Sequence, residues 1–172
     1  MIFLLLACTP DDVKDDTAAD ADTDTDADTD ADTDSDTDTD SPGDITGSWL
    51  SEDDDVSDIL VGFGFTSVSA TFNSDGTYAV AATNSGGNTF DFTGTFTVGT
   101  TTNPGTIVTE QATPTVVTAE GIWQVVGDTL TYEVAQTSPD QGFTPPTPEA
   151  GFGSTGGPGV AAGSNVQIYQ RQ

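Results

Sequence analysis

The chain contains no histidine, a single cysteine (Cys8) and only two cationic residues, Lys14 and Arg171. Without a second cysteine there is no intramolecular disulfide, and without histidine neither a Cys-His zinc site nor a His-based catalytic arrangement exists. Enzymatic chemistry is left to carboxylates and hydroxyls. Two cations against 29 acids give a formal net charge of −27. Such a field repels phosphate backbones, so nucleic acid is not an expected partner, and direct binding to an anionic bilayer is disfavoured for the same reason. No stretch carries apolar residues at helical spacing over three turns, and leucine, lysine and arginine are too scarce for stable amphipathic helices. Large apolar side chains are also missing from most of the first quarter, so one hydrophobic core, and hence one folded domain, is expected.

What is present begins with that charge, and it is unevenly spread. Asp11 to Asp44 holds 16 Asp and one Lys, net −15, whereas Ile45 to Gln172 holds 13 acids and one Arg, net −12, which together make −27. From Asp20 to Asp40 every second residue is Asp, alternating with Thr, Ala or Ser. A run with no large apolar residue has nothing to bury and does not fold alone, so it reads as a disordered acidic linker extended by its own repulsion. Fully stretched, Asp11 to Gly43 reaches roughly 110 Å at about 3.3 Å per residue. Alternating carboxylates also suit calcium, but the run lacks the Gly at the sixth position and the Glu at the twelfth that an EF-hand loop uses. Any calcium here is expected to be loosely and multivalently bound, with no defined site.

Before the linker, Met1 to Ala7 is a brief apolar run ending in Leu5-Leu6-Ala7-Cys8. Seven residues are too few to span a bilayer. The pattern resembles the lipobox of bacterial lipoproteins, in which a small residue precedes the cysteine that becomes lipidated. That resemblance implies cleavage before Cys8 and a lipid anchor on it. Thr9 rather than Asp follows the cysteine, and in such lipoproteins this directs the protein to the outer membrane, on its periplasmic or its surface face. A basic segment ahead of the apolar run is absent, so translation is expected to start upstream of Met1. The chain is therefore divided into 1–8 (signal remnant and lipidation site), 9–44 (linker) and 45–172 (folded domain).

After Pro42-Gly43 the texture changes to short segments rich in Thr, Val and Phe, separated by Gly, Asn, Asp and Pro, as in antiparallel β proteins. In Phe90 to Val98, residues Phe90, Phe92, Gly94, Phe96 and Val98 share one face and Asp91, Thr93, Thr95 and Thr97 the other, so one side is buried and one wet. Val68-Ser69-Ala70-Thr71-Phe72 leads through Asn73-Ser74-Asp75-Gly76 into Thr77 to Ala82, a hairpin. A second hairpin joins Ile122–Val126 to Thr129–Val134 across Gly127-Asp128. Phe63 and Phe65 are out of phase with Val68 to Phe72, which predicts a bulge near Thr66-Ser67. With Ile45–Leu50, Ile59–Phe65, Thr106–Gln111, Thr115–Ala119 and Asn165–Gln170, eight to ten strands are expected. The fold class is all-β: a small antiparallel up-and-down barrel of about eight strands, with a β-sandwich of immunoglobulin type as the alternative. Gln136 to Ser164, with five prolines and seven glycines, is expected to be a disordered or lid-like loop.

Ile45-Thr46-Gly47-Ser48-Trp49, the hairpin Thr71 to Tyr78, the pair Gly121-Ile122-Trp123 to Tyr132 and the closing Tyr169-Gln170-Arg171 resemble the small lipocalin-like domains of bacterial lipoproteins. The resemblance covers Ile45 to Gln172 in outline and implies that Gly47 and Trp49 on the first strand close the barrel bottom while Arg171 from the last strand stacks across the indole. A cation–π contact of that kind is worth about 0.5 to 2 kcal/mol. Two regions typical of true lipocalins are not found, and Gln136 to Ser164 is longer than a barrel turn. The resemblance further implies binding of a small apolar ligand or an envelope component. Phe92, Phe96, Trp123 and Tyr132 either line a cavity for it or fill the interior, and both readings stay open. The acids Asp53, Asp54, Asp55 and Asp58, beside Glu52, are weak candidates for calcium, with a solvated loop as the favoured reading. Glu110, Glu120 and Glu133 are the acids to test for paired-carboxylate hydrolysis, but no spacing singles them out. No enzyme and no cofactor is expected. The rivals to ligand binding are a structural or surface-display domain with a filled core and a calcium-dependent surface protein.

Overall fold

The computed structural model describes residues 41–172. Eight strands run through them in order: β1 (Gly47–Glu52), β2 (Phe65–Phe72), β3 (Thr77–Asn84), β4 (Thr89–Gly99), β5 (Gly105–Thr113), β6 (Val117–Val126), β7 (Thr129–Ser138) and β8 (Gln167–Arg171). Each pairs antiparallel with its neighbour in sequence, and β1 pairs with β8 through Trp49↔Arg171 and Leu50↔Gln170, so the sheet closes into an up-and-down barrel. Closure removes the exposed strand edges that a sandwich would have to protect.

Alternation sets the two faces of the wall. Trp49, Val68, Ala70, Phe72, Tyr78, Ala82, Phe96, Ile107, Trp123, Leu130 and Tyr169 form the buried interior cluster, with Val80, Phe92, Tyr132 and Val134 packed against it. The β2–β3 turn is tied by Asp75, whose Oδ1 accepts from the Thr77 N–H at 2.9 Å and from its hydroxyl at 2.6 Å. The irregularity expected near Thr66 is present as a register shift between Phe65 and Ser67.

Three segments differ from the sequence-based expectation. Ile59 to Phe65 is not a strand: after the turn Asp53–Asp55, the chain forms a short helix, α1 (Asp58–Gly62), and β2 starts at Phe65. Apolar β-branched residues favour a strand locally, but here tertiary hydrogen bonds decide. The Ser57 N–H donates to Gln167 Oε1 at 3.0 Å and the Ile59 N–H to the Ser164 carbonyl at 3.0 Å. The Gln167 amide also donates to Ser51 Oγ, so β8, β1 and the start of α1 share one buried polar link. Second, Val117–Ala119 and Ile122–Val126 belong to one strand, β6, which passes through Glu120-Gly121 unbroken, while Thr115 and Val116 lie in the turn before it. Gly121 marks a close approach rather than a break, since an added Cβ would fall on the Glu133 carbonyl oxygen of β7. Third, Gln136 to Ser164 is not a disordered loop: Gln136–Ser138 complete β7, and the rest is an ordered connection to β8. It lies against the outer face of β7 and carries its own bridge, Thr144↔Gly156.

The anchor of that strap is Glu133. Its side chain points out of the barrel yet is only 1% exposed. Oε2 accepts from the Gly153 N–H at 2.6 Å, and Oε1 accepts from the Thr155 N–H at 3.0 Å and the Thr155 hydroxyl at 2.5 Å. Asn165 adds a bond from Nδ2 to the Val134 carbonyl at 2.7 Å. A buried carboxylate with three donors is satisfied, and Ile122, its register partner, is also fully buried.

Candidate functional site

The two ends of the barrel are built from different residues. One end receives the entering chain, the β2–β3, β4–β5 and β6–β7 turns and the carboxyl terminus, and it is filled. Trp49 lies across it with its indole N–H donating to the Ile45 carbonyl at 2.8 Å. The Arg171 guanidinium sits over the indole, Cζ 4.1 Å from the ring centroid, and donates to the Thr46 and Asp44 carbonyls at 3.0 and 3.1 Å. Gly47 is needed beneath it: its φ is +124°, and an added Cβ would stand 2.9 Å from Arg171 Nη1. Hydrogen bonds from the Thr46 N–H and hydroxyl hold the Asp44 carboxyl below the usual carboxylate range, with slight desolvation opposing and Arg171 adding to the effect. Trp123 and Phe96 occupy the same end, and the Trp123 indole N–H donates to the Thr106 carbonyl at 3.1 Å.

Toward the other end, where β1–β2, β3–β4, β5–β6 and β7–β8 connect, most inward residues are small, Val68, Val80, Ala82, Val117, Ala119 and Val134, and Phe92 is the large exception. The space they leave is a cavity of about 300 Å³ roofed on one side by Leu60 of α1. Phe72, Tyr132 and Tyr169 form its floor, with Tyr132 6.0 Å from Phe72 and 6.4 Å from Tyr169 between ring centroids. Its polar groups are the hydroxyls of Thr109 and of Tyr78, Tyr132 and Tyr169, together with the Gln111 amide, and no Asp, Glu, Lys or Arg lines it. Burial pushes the Tyr132 phenol well above the ordinary tyrosine range, with Tyr169 and Tyr78 adding to the shift and a hydrogen bond with Thr109 opposing it. Burial raises Tyr169 and Tyr78 as well. At neutral pH the cavity is therefore uncharged, with phenolic O–H groups at its base.

Of the four aromatic residues singled out in the sequence, Phe92 and Tyr132 line this cavity, whereas Phe96 and Trp123 lie below it in the filled end. Sequence reasoning missed Leu60, Tyr78, Tyr169 and the small wall residues. Tyr78 and Tyr169 were within reach, because each alternates in phase with inward neighbours, Val80 and Gln167. Glu110, Glu120 and Glu133 do not converge: none lines the cavity, Glu133 holds the strap and Glu120 Oε1 accepts from the Thr137 hydroxyl at 3.1 Å. Asp53, Asp54 and Asp55 form an exposed turn and Asp58 starts α1; among the described residues no group of three or more carboxylates is gathered as a metal site. Cys8 and the Asp20–Asp40 run, with the lipid-anchor and loose-calcium readings attached to them, lie outside the described residues. Comparison with protein-family models, curated proteins and solved structures finds no match to this chain.

Proposed function

We propose that this chain is a lipoprotein anchored to the bacterial outer membrane through Cys8, and that its lipocalin-like barrel takes up a small, uncharged, largely apolar ligand without transforming it. The observation that carries the reading is the cavity: about 300 Å³, apolar walls, a few hydroxyls at the base and an opening at one end, the usual make-up of a small-molecule site. A ligand with an apolar body and one hydroxyl or carbonyl at its deep end fits those groups. A carboxylate or an ammonium would enter without an opposite charge to pair with, at a desolvation cost of several kcal/mol.

The test uses the full chain and N-phenyl-1-naphthylamine, a neutral probe that fluoresces in apolar surroundings. We expect saturable binding that weakens about tenfold or more when Ala82→Leu and Ala119→Leu together fill the cavity, while the thermal transition of the variant stays cooperative. A probe signal that ignores the filling substitutions would remove the carrier reading. It would favour instead a structural or display domain, a reading supported by the ordered strap that Glu133 pins to the outer wall. The anchor has its own test: the intact mass of membrane-extracted protein from the complete gene carries a diacylglyceryl-sized increment, and Cys8→Ala abolishes it. An unmodified, soluble product would sink the anchored reading and leave the cavity to be judged alone.

A further inference from the structure

Of the six exposed large apolar side chains among the described residues, Val98 (39%) and Val126 (67%) stand at the filled end, and the other four gather at the mouth. Val61 is 52% exposed, Phe63 76%, Phe90 47% and Val116 77%. They come from three separate connections: Val61 and Phe63 from the α1 segment between β1 and β2, Phe90 from the start of β4, and Val116 from the β5–β6 turn. In an up-and-down barrel these connections fall at the same end, and each stands next to a residue of the cavity. Leu60 precedes Val61, Val117 follows Val116, and Phe90 pairs in register with Ala82. Phe65 supports Phe90 edge-on, with ring centroids 5.6 Å apart. The mouth of an apolar cavity is thus rimmed by apolar side chains that nothing in the fold requires to be exposed.

We propose that this rim docks the open end of the barrel on the surface of an uncharged, zwitterionic bilayer, from which the ligand enters the cavity. The inference rests on the carrier reading for its purpose, although the docking is measured separately. Charge selects the occupant. Residues 45–172 carry 13 acids and a single cation, Arg171, and Arg171 is engaged at the opposite, filled end. The acids nearest the rim in the chain are Asp58 and Asp91, beside α1 and Phe90. A mouth with no cation gains nothing from anionic headgroups and is repelled by them, so a surface of zwitterionic lipid, entered by apolar side chains alone, is the complementary one.

Where the chain enters the barrel supports the same occupant. Residues 41–46 join the filled end, held by Val125, whose N–H donates to the Pro42 carbonyl at 2.7 Å, and by the Arg171 bonds. The mouth faces away from that junction. The longest strand, β4, spans about 36 Å at ~3.3 Å per residue, whereas Asp11 to Gly43 reaches roughly 110 Å when fully extended. A barrel tethered at Cys8 therefore has enough chain to turn its mouth toward the membrane that holds its anchor.

The experiment uses the full chain carrying Cys8→Ala, so that no lipid anchor contributes, in flotation with phosphatidylcholine vesicles. Binding is expected, insensitive to salt, and reduced about tenfold by Phe63→Ser with Val116→Ser. Both side chains are more than three-quarters exposed, so the fold tolerates the change, and a thermal melt checks it. The same double variant keeps its affinity for N-phenyl-1-naphthylamine, whereas Ala82→Leu with Ala119→Leu loses the probe and keeps the vesicles. Failure of the cavity reading and failure of the docking reading are thereby distinguished. Absence of binding to phosphatidylcholine, a requirement for phosphatidylglycerol, or binding indifferent to the rim substitutions would each overturn the proposal. A concentration-dependent dimer abolished by those substitutions, without vesicle binding, would overturn it in favour of a second copy of this chain as the occupant.

Discussion

The two ends of this barrel are made by the same strands under the same alternation, yet one is solid and the other hollow. At the filled end the inward positions hold Trp49, Phe72, Phe96, Ile107, Trp123 and Leu130; toward the mouth, on the same strands or their neighbours, they hold Val68, Val80, Ala82, Val117, Ala119 and Val134, with Phe92 the large exception. The cavity comes from smaller side chains and needs no wider barrel. Polar chemistry divides likewise. Each indole N–H at the filled end has a backbone acceptor and the single guanidinium has two, whereas the polar groups that line the cavity are phenols, one threonine and one glutamine. One end is spent on holding the fold, and the other is left free for contact.

The largest expected effect lies on that division. Trp49→Ala removes a 1% exposed indole, its hydrogen bond to Ile45 and the surface under Arg171. A buried aromatic truncated in this way costs about 3–5 kcal/mol. Phe63→Ser, an aromatic of larger exposure at the mouth, is expected to change stability by no more than about 0.5 kcal/mol. Denaturant midpoints at unchanged m-value measure both. Equal losses at the two positions would break the comparison, since the mouth would then be part of the structural core.

How much of this was legible differs by region for physical reasons. The filled end was readable because it depends on residue type at fixed places: Trp49 and Arg171 are rare in this composition, Gly47 stands two residues before the tryptophan, and the structure puts them in contact. Strand alternation was readable wherever Phe or Val recurred at every second position, as in β4. The mouth was not, because α1 forms from a stretch, Ile59-Leu60-Val61, whose local preference is for a strand, and long-range bonds from Ser57 and Ile59 to Gln167 and Ser164 override it. The strap was hidden because its anchor, Glu133, is a lone carboxylate in a strand, a residue that ordinarily faces water. The cavity was hidden because it is a difference in side-chain size between the two halves of the interior, and it becomes visible only once registers assign each residue to a level.

Between the two ends lies the layer of tyrosines, and pH offers a way to probe it. Tyr169 is 5% exposed and its phenol is raised by burial, so the folded chain holds that proton more tightly than the unfolded chain does. Its contribution to stability is complete below the free tyrosine pKa of about 10 and declines as pH rises above it, because the unfolded state then releases its proton first. At pH 11 the loss through this one residue is about 1.4 kcal/mol. Tyr132 is raised in the same direction but is partly open to the cavity, so solvent there reduces its share. Tyr169→Phe keeps the ring and removes the titration, and it is expected to make the decline of stability above pH 10 shallower while leaving neutral-pH stability nearly unchanged. Phe63→Ser, at the rim, leaves that slope as it was. Denaturant midpoints across the alkaline range, read beside the near-ultraviolet absorbance of tyrosinate, measure the effect. Free ionisation of Tyr169 near pH 10 in the folded chain would mean that its hydroxyl is solvated through the cavity and not enclosed by the surrounding side chains.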